Sequence, residues 1–164
     1  MGFHRCVLLV LVAALALSQG SAQASPGRAP SRPKPAPTAA DQPFSEVVAE
    51  RLLNGLSEAI LGQDEAAALA LFDRDRMPNY AEFAQQMRSM LRQYGSFRVD
   101  YHLVQTFEET GQNIAVVEFT LEAIPASDTE LPVRGSAQLR FSFTRGEKTW
   151  LISDVQPREF FAQF

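Results

Sequence analysis

The chain is 164 residues long, with 19 acidic against 15 basic side chains, a formal charge of −4 and a hydrophobic share of 46 %. That length excludes two ordinary domains once the ends are set aside, while the apolar share suffices for one core. An acidic chain with no Lys/Arg cluster in its folded part argues against a nucleic-acid or anionic-membrane partner.

His4 and Arg5 precede a continuous apolar run over residues 6–17, and Ala22-Gln23-Ala24 supplies the small-x-small pattern of a signal-peptidase site. The pattern predicts a secretory signal over residues 1–24, with Ser25 first after cleavage. A membrane anchor would need ~20 apolar residues, so no membrane span is expected once the signal is removed. Cys6 lies inside the apolar run, which argues against a lipoprotein signal. The expected localisation is therefore periplasmic or extracellular. Cleavage removes the single cysteine and leaves His102 as the one imidazole. The processed chain has no disulfide, thiol nucleophile or thiolate metal ligand.

Residues 25–43 carry six prolines and no large apolar side chain. Such a stretch buries too little surface to offset the entropy of ordering, so a disordered proline-rich tether is expected. Residues 44–164 are then the folded domain.

Apolar residues recur at Phe44, Val48, Leu52, Leu56 and Ile60, with Val47, Leu53 and Ala59 widening the stripe. This predicts an amphipathic helix over residues 44–61, capped by Ser45 and closed by Gly62. Asp64 caps a short alanine-rich helix over residues 65–72. The alternating Asp73, Arg74, Asp75 and Arg76 lack the further ligands of a calcium loop, and no metal or cofactor is expected. Asn79 with Glu82 resembles a capping box ahead of a third helix. The stripe of that helix is Tyr80, Phe83, Met87, Met90, Leu91 and Tyr94, and Gly95 ends it.

Four strands follow. Over residues 97–107 the inward set is Phe97, Val99, Tyr101, Leu103 and Gln105, with Arg98, Asp100 and His102 outward. A turn at Gly111 leads to residues 113–124, whose inward side chains are Ala115, Val117, Phe119, Leu121 and Ala123. After a polar loop, Val133, Gly135, Ala137, Leu139, Phe141 and Phe143 alternate strictly with polar residues, the pattern of a half-buried strand. Gly146 is expected to supply the positive φ of a tight hairpin. Trp150, Ile152 and Asp154 then return on one face. Outward Arg134 and Arg140 face Glu118 and Glu122, as charge pairs that tune solubility or a polar dimer contact. Short connections make the strands antiparallel neighbours, and the class is α+β: N-terminal helices on one face of a curved four-strand sheet.

That element order, closed by Trp150, Ile152, Asp154 and Pro157, resembles the NTF2-like superfamily of SnoaL-like and ketosteroid-isomerase-like α+β cones. The break at Leu61, Gly62, Gln63 and Asp64 before a short helix ending in Leu71-Phe72 matches its landmarks. The resemblance implies a cone with an apolar pocket at its open end and a sheet face used for homodimerisation. It does not imply an activity, because the fold hosts both enzymes and non-catalytic domains. Tyr101, Phe119, Trp150 and Asp154 are the pocket candidates; no catalytic residue is assigned. His102 falls on the polar face and reads as a solvated histidine.

Three functions stay open. The first is an exported, non-catalytic binding or accessory domain holding a small apolar ligand or peptide, or engaging a protein partner. The second is an isomerase or lyase in which an inward Asp154 and Tyr101 move a proton. The third is a structural homodimer with a filled cone. Phe160, Phe161 and Phe164 are spaced as one helical face and must cover apolar surface, with the cone mouth the nearest candidate.

Overall fold

The computed structural model describes residues 42–127 and 129–164. The expected signal at 1–24 and nearly all of the tether at 25–43 lie outside these residues. The elements run α1 (Glu46–Leu61), α2 (Glu65–Ala70), α3 (Tyr80–Gln93), β1 (Ser96–Glu109), β2 (Gln112–Ile124), β3 (Val133–Arg145), β4 (Trp150–Gln156) and α4 (Glu159–Ala162). The strands form one antiparallel sheet in the order β1-β2-β3-β4. The α+β class follows as expected.

The α1 stripe is buried at Val48, Leu52, Leu53, Leu56, Ala59 and Ile60. Val47, expected to widen it, is 63 % exposed and lies on the water side of the helix. Phe44 and Ser45 precede the first turn, and the Ser45 hydroxyl makes no capping bond. Gly62 is right-handed, and Gln63 (φ 53°) takes the left-handed place instead. Its side-chain amide then donates to the Tyr94 carbonyl at 2.7 Å and the Leu91 carbonyl at 3.3 Å, satisfying the end of α3.

Asp64 caps α2 as expected, its Oδ1 accepting the Ala67 N–H at 2.9 Å. The helix stops at Ala70 because the next residues serve the sheet. The Leu71 carbonyl accepts the Ile152 N–H, and the Asp73 N–H donates to the Ile152 carbonyl, both at 2.8 Å. A short parallel bridge at Phe72 thus covers the outer edge of β4. Asn79 is left-handed (φ 54°) and its side chain caps nothing, so the expected capping box does not form. The apolar stripe of α3 is buried as read, at Phe83, Met87, Met90 and Leu91.

The β1–β2 hairpin turns on Thr110 (φ 49°) and Gly111 (φ 78°), the paired left-handed residues that match strand twist. Gly146 differs: its φ lies outside the left-handed region, and a Cβ there would stand 2.8 Å from the Thr149 carbonyl oxygen. Crowding, not backbone handedness, selects glycine in the second hairpin.

Two bulges change which side chains face the helices. Leu103 lies opposite Val117 but Gln105 opposite Val116, leaving Val104 as the extra residue. Gln105, expected inward, therefore faces out, and Thr106 takes the inward place opposite Ala115. On β4, Ile152 lies opposite Phe143 and Asp154 opposite Ser142, with Ser153 extra.

Candidate functional site

The helix-facing side of the sheet gathers Phe119, Leu121, Leu139, Phe141, Phe143 and Ile152 into one buried cluster with the helices. The C-terminal helix enters the same cluster. Phe160 and Phe161 meet the ring of Phe119 edge-on at 5.7 and 6.1 Å, and Phe161 meets Phe83 at 6.0 Å. Gly135 makes the room: a Cβ there would be 2.5 Å from Gln163 Nε2 and 3.0 Å from the Phe164 ring. A strand glycine where another chain segment approaches closely is what such packing needs. Phe160, Phe161 and Phe164 are all buried. The tail packs against the helix-facing side of the sheet, and among the described residues the only buried polar side chains are Ser57 and Ser142.

The four pocket candidates do not converge on one cavity. Phe119 is 1 % exposed beneath the tail. Trp150 lies under the segment leading into α1, its Nε1–H donating to the Gln42 carbonyl at 2.9 Å and its ring 5.3 Å from Phe44. Tyr101 points inward and donates its hydroxyl to Asn54 Oδ1 of α1 at 2.7 Å. Burial, and then the negative charge of Glu50, push its pKa up. Asp154 is a correction: the extra Ser153 turns it onto the outer face beside Ser142. There it accepts the Val155 N–H, the Gln156 amide and two N–H groups of Arg158, the shortest at 2.6 Å. Asp154 and Tyr101 thus lie on opposite faces of the sheet. His102 is exposed on the outer face opposite Glu118, as expected.

The outer face holds a feature that alternation alone does not reveal. A cleft of about 490 Å³ opens at the β3–β4 end of the sheet, its walls including Arg76, Gln112, Arg140, Ser142, Ser153 and Asp154. Loop residue Arg76 reaches round the β4 edge to the Thr144 hydroxyl. Arg140 pairs with Glu109 rather than with Glu118 or Glu122, and its guanidinium lies 5.5 Å from the centre of the Phe107 ring. The expected pairing holds only in part elsewhere: Arg134 lies opposite Glu122, whose carboxylate bonds Arg98 at 3.4 Å. Sequence marks Arg140 and Ser142 as outward, but Ser153 joins them only through the bulge. Among the described residues no group of three or more His, Cys, Asp or Glu side chains could hold a metal ion, and no helix is long and apolar enough to cross a membrane.

No protein-family model matches the sequence, and no curated protein matches it. Solved structures do. A candidate scytalone dehydratase from Novosphingobium aromaticivorans is similar with a TM-score of 0.58 at 9 % identity, over 66 % of this chain and 79 % of that one. ActVI-ORFA from Streptomyces coelicolor gives 0.54 at 16 % identity, over 66 % and 90 %. A candidate dehydratase of the NTF2-like family from Streptomyces avermitilis gives 0.51 at 10 % identity, over 66 % and 91 %. Likeness at such identity carries the fold and nothing finer.

Proposed function

We infer that this chain, an NTF2-like α+β cone by fold, is an exported, non-catalytic binding or accessory domain that works through its outer surface. The observation that carries this reading is the burial of Phe160, Phe161 and Phe164 against Phe119 and Gly135, where the ligand of an open cone would sit. Each phenylalanine contributes about 1.5–3 kcal/mol on burial, so a small apolar ligand must displace a comparable interaction to enter. The isomerase or lyase alternative has less support, since Asp154 and Tyr101 are separated by the sheet and Asp154 is bonded to Arg158. The leader and the proline-rich stretch support export to the periplasm or the exterior. A homodimer through the outer sheet face is compatible with this reading.

The test is a titration of the intact domain with an enolisable steroid ketone and an apolar dye, followed by Trp150 fluorescence and product analysis. Neither saturable binding nor turnover is expected. Stoichiometric binding in the cone by the intact domain, or turnover that disappears in Asp154→Asn, would overturn the reading.

A further inference from the structure

We propose that the outer-face cleft is a binding site for a small hydroxylated oxyanion, in the chemical class of sugar acids and sugar phosphates. This rests on the outer-surface reading above and gives that surface a ligand.

Four segments build the cleft. The loop after α2 brings Arg76, the start of β2 brings Gln112, and the outward residues of β3 and β4 bring Arg140, Ser142 and Ser153. The single carboxylate lining it, Asp154, has its charge offset by the two N–H groups of Arg158 and its oxygens filled by further donors. Two guanidinium groups thus line the cleft, each also facing a carboxylate outside the lining, Asp73 beside Arg76 and Glu109 beside Arg140.

Arg140 is held in place on one side by Glu109 and over the ring of Phe107, yet a guanidinium carries five N–H donors and the Glu109 contact uses one. Arg76, with 60 % of its side chain exposed, lies 3.8 Å from the Asp73 carboxylate and donates to the Thr144 hydroxyl. These contacts restrict both side chains before a ligand arrives, which lowers the entropy lost on binding. Arginine forks suit carboxylate and phosphate oxygens. The side chains of Gln112, Ser142 and Ser153 have no hydrogen-bond partner among the described residues, although Ser142 is only 8 % exposed. Hydroxyl and amide groups that both donate and accept match the hydroxyls of a polyol. A volume of about 490 Å³ admits a ligand of that size, and the few apolar walls give little hold to an aliphatic one.

The experiment is an amide-resolved NMR titration of the full chain with glucuronate, glucose 6-phosphate, inorganic phosphate and glucose. Saturating shifts are expected at Gln112, Ser142 and Ser153 with one or both acidic sugars. Glucose and inorganic phosphate should each bind at least about tenfold more weakly. Glucuronate alone identifies the carboxylate source, and glucose 6-phosphate alone the phosphate source. Arg76→Met, on an exposed loop, and Arg140→Met should each weaken binding about fivefold or more, and Ser153→Tyr should block it with amide dispersion intact. Loss of dispersion in Arg140→Met leaves Arg76→Met and Ser153→Tyr to decide. No saturable shift at about 20 mM, shifts that map elsewhere, glucose equal to its acids, or inorganic phosphate equal to the sugar phosphate would each overturn the proposal. Failure here leaves the apolar-ligand titration of the cone untouched, so the two readings fall separately.

Discussion

Tyr101 bonds Asn54 across the β1–α1 contact at 2.7 Å, and its pKa is raised by burial and then by Glu50. Below the ordinary tyrosine value near 10, both folded and unfolded chains hold the proton and the contribution is complete. As pH climbs past that value the unfolded chain ionises first, so stability falls until the folded group also ionises. Tyr101→Phe should cost about 0.5–1.5 kcal/mol at pH 7, through loss of the hydroxyl bond. It should also lessen the decline in stability above about pH 10. Urea melts at neutral and alkaline pH check both, and an alkaline decline unchanged in the variant would assign it to other groups. Asp154 shows the opposite lesson at the same scale. Its period-two relation to Trp150 and Ile152 is plain in the sequence, but Ser153, a residue with no bulge signature, is counted once too often and reverses it.

Among the elements, those whose period the structure follows most closely were legible: the stripe of α3, that of α1 apart from Val47, and the alternation of β3 as far as Phe141. The Thr110-Gly111 turn was legible too, through its glycine. What escaped were devices set by tertiary neighbours: the Val104 and Ser153 bulges, the left-handed Asn79, and the early end of α2 where its chain joins β4. The tail was legible because its three phenylalanines have no use in water. Two glycines separate tolerance from need. At Gly55 an added Cβ would be 3.5 Å from Leu71, an ordinary contact, so Gly55→Ala should stabilise by about 0.5–1 kcal/mol. At Gly135 the same change meets Gln163 at 2.5 Å and Phe164 at 3.0 Å. Gly135→Ala should destabilise by about 1–3 kcal/mol and raise dye binding, and a second change, Gln163→Ala, should restore part of the loss. Thermal melts with dye fluorescence read both, and a stabilising Gly135→Ala would show that the tail does not dock there.

For the whole molecule, the boundary of the fold lies ahead of α1. The Gln42 carbonyl accepts the Trp150 indole N–H, and Phe44 stacks against Phe143 at 4.9 Å and Trp150 at 5.3 Å. A chain beginning at Gln42 should melt with the full-length protein, whereas one beginning at Glu46 should lose about 2–4 kcal/mol and shift Trp150 emission to the red. Equal melting of the two would place the boundary at the helix. The two margins of the sheet are also unequal. Phe72 closes the margin along β4, while β1, 14 residues long, has a neighbour on one side only among the described residues. Val104 breaks that open margin. A strand from another copy laid along β1 has to shift register there, as β2 does on the other side. One irregular residue thus divides the free margin into two shorter regular stretches, residues 96–103 and 105–109, for any strand that would pair along it.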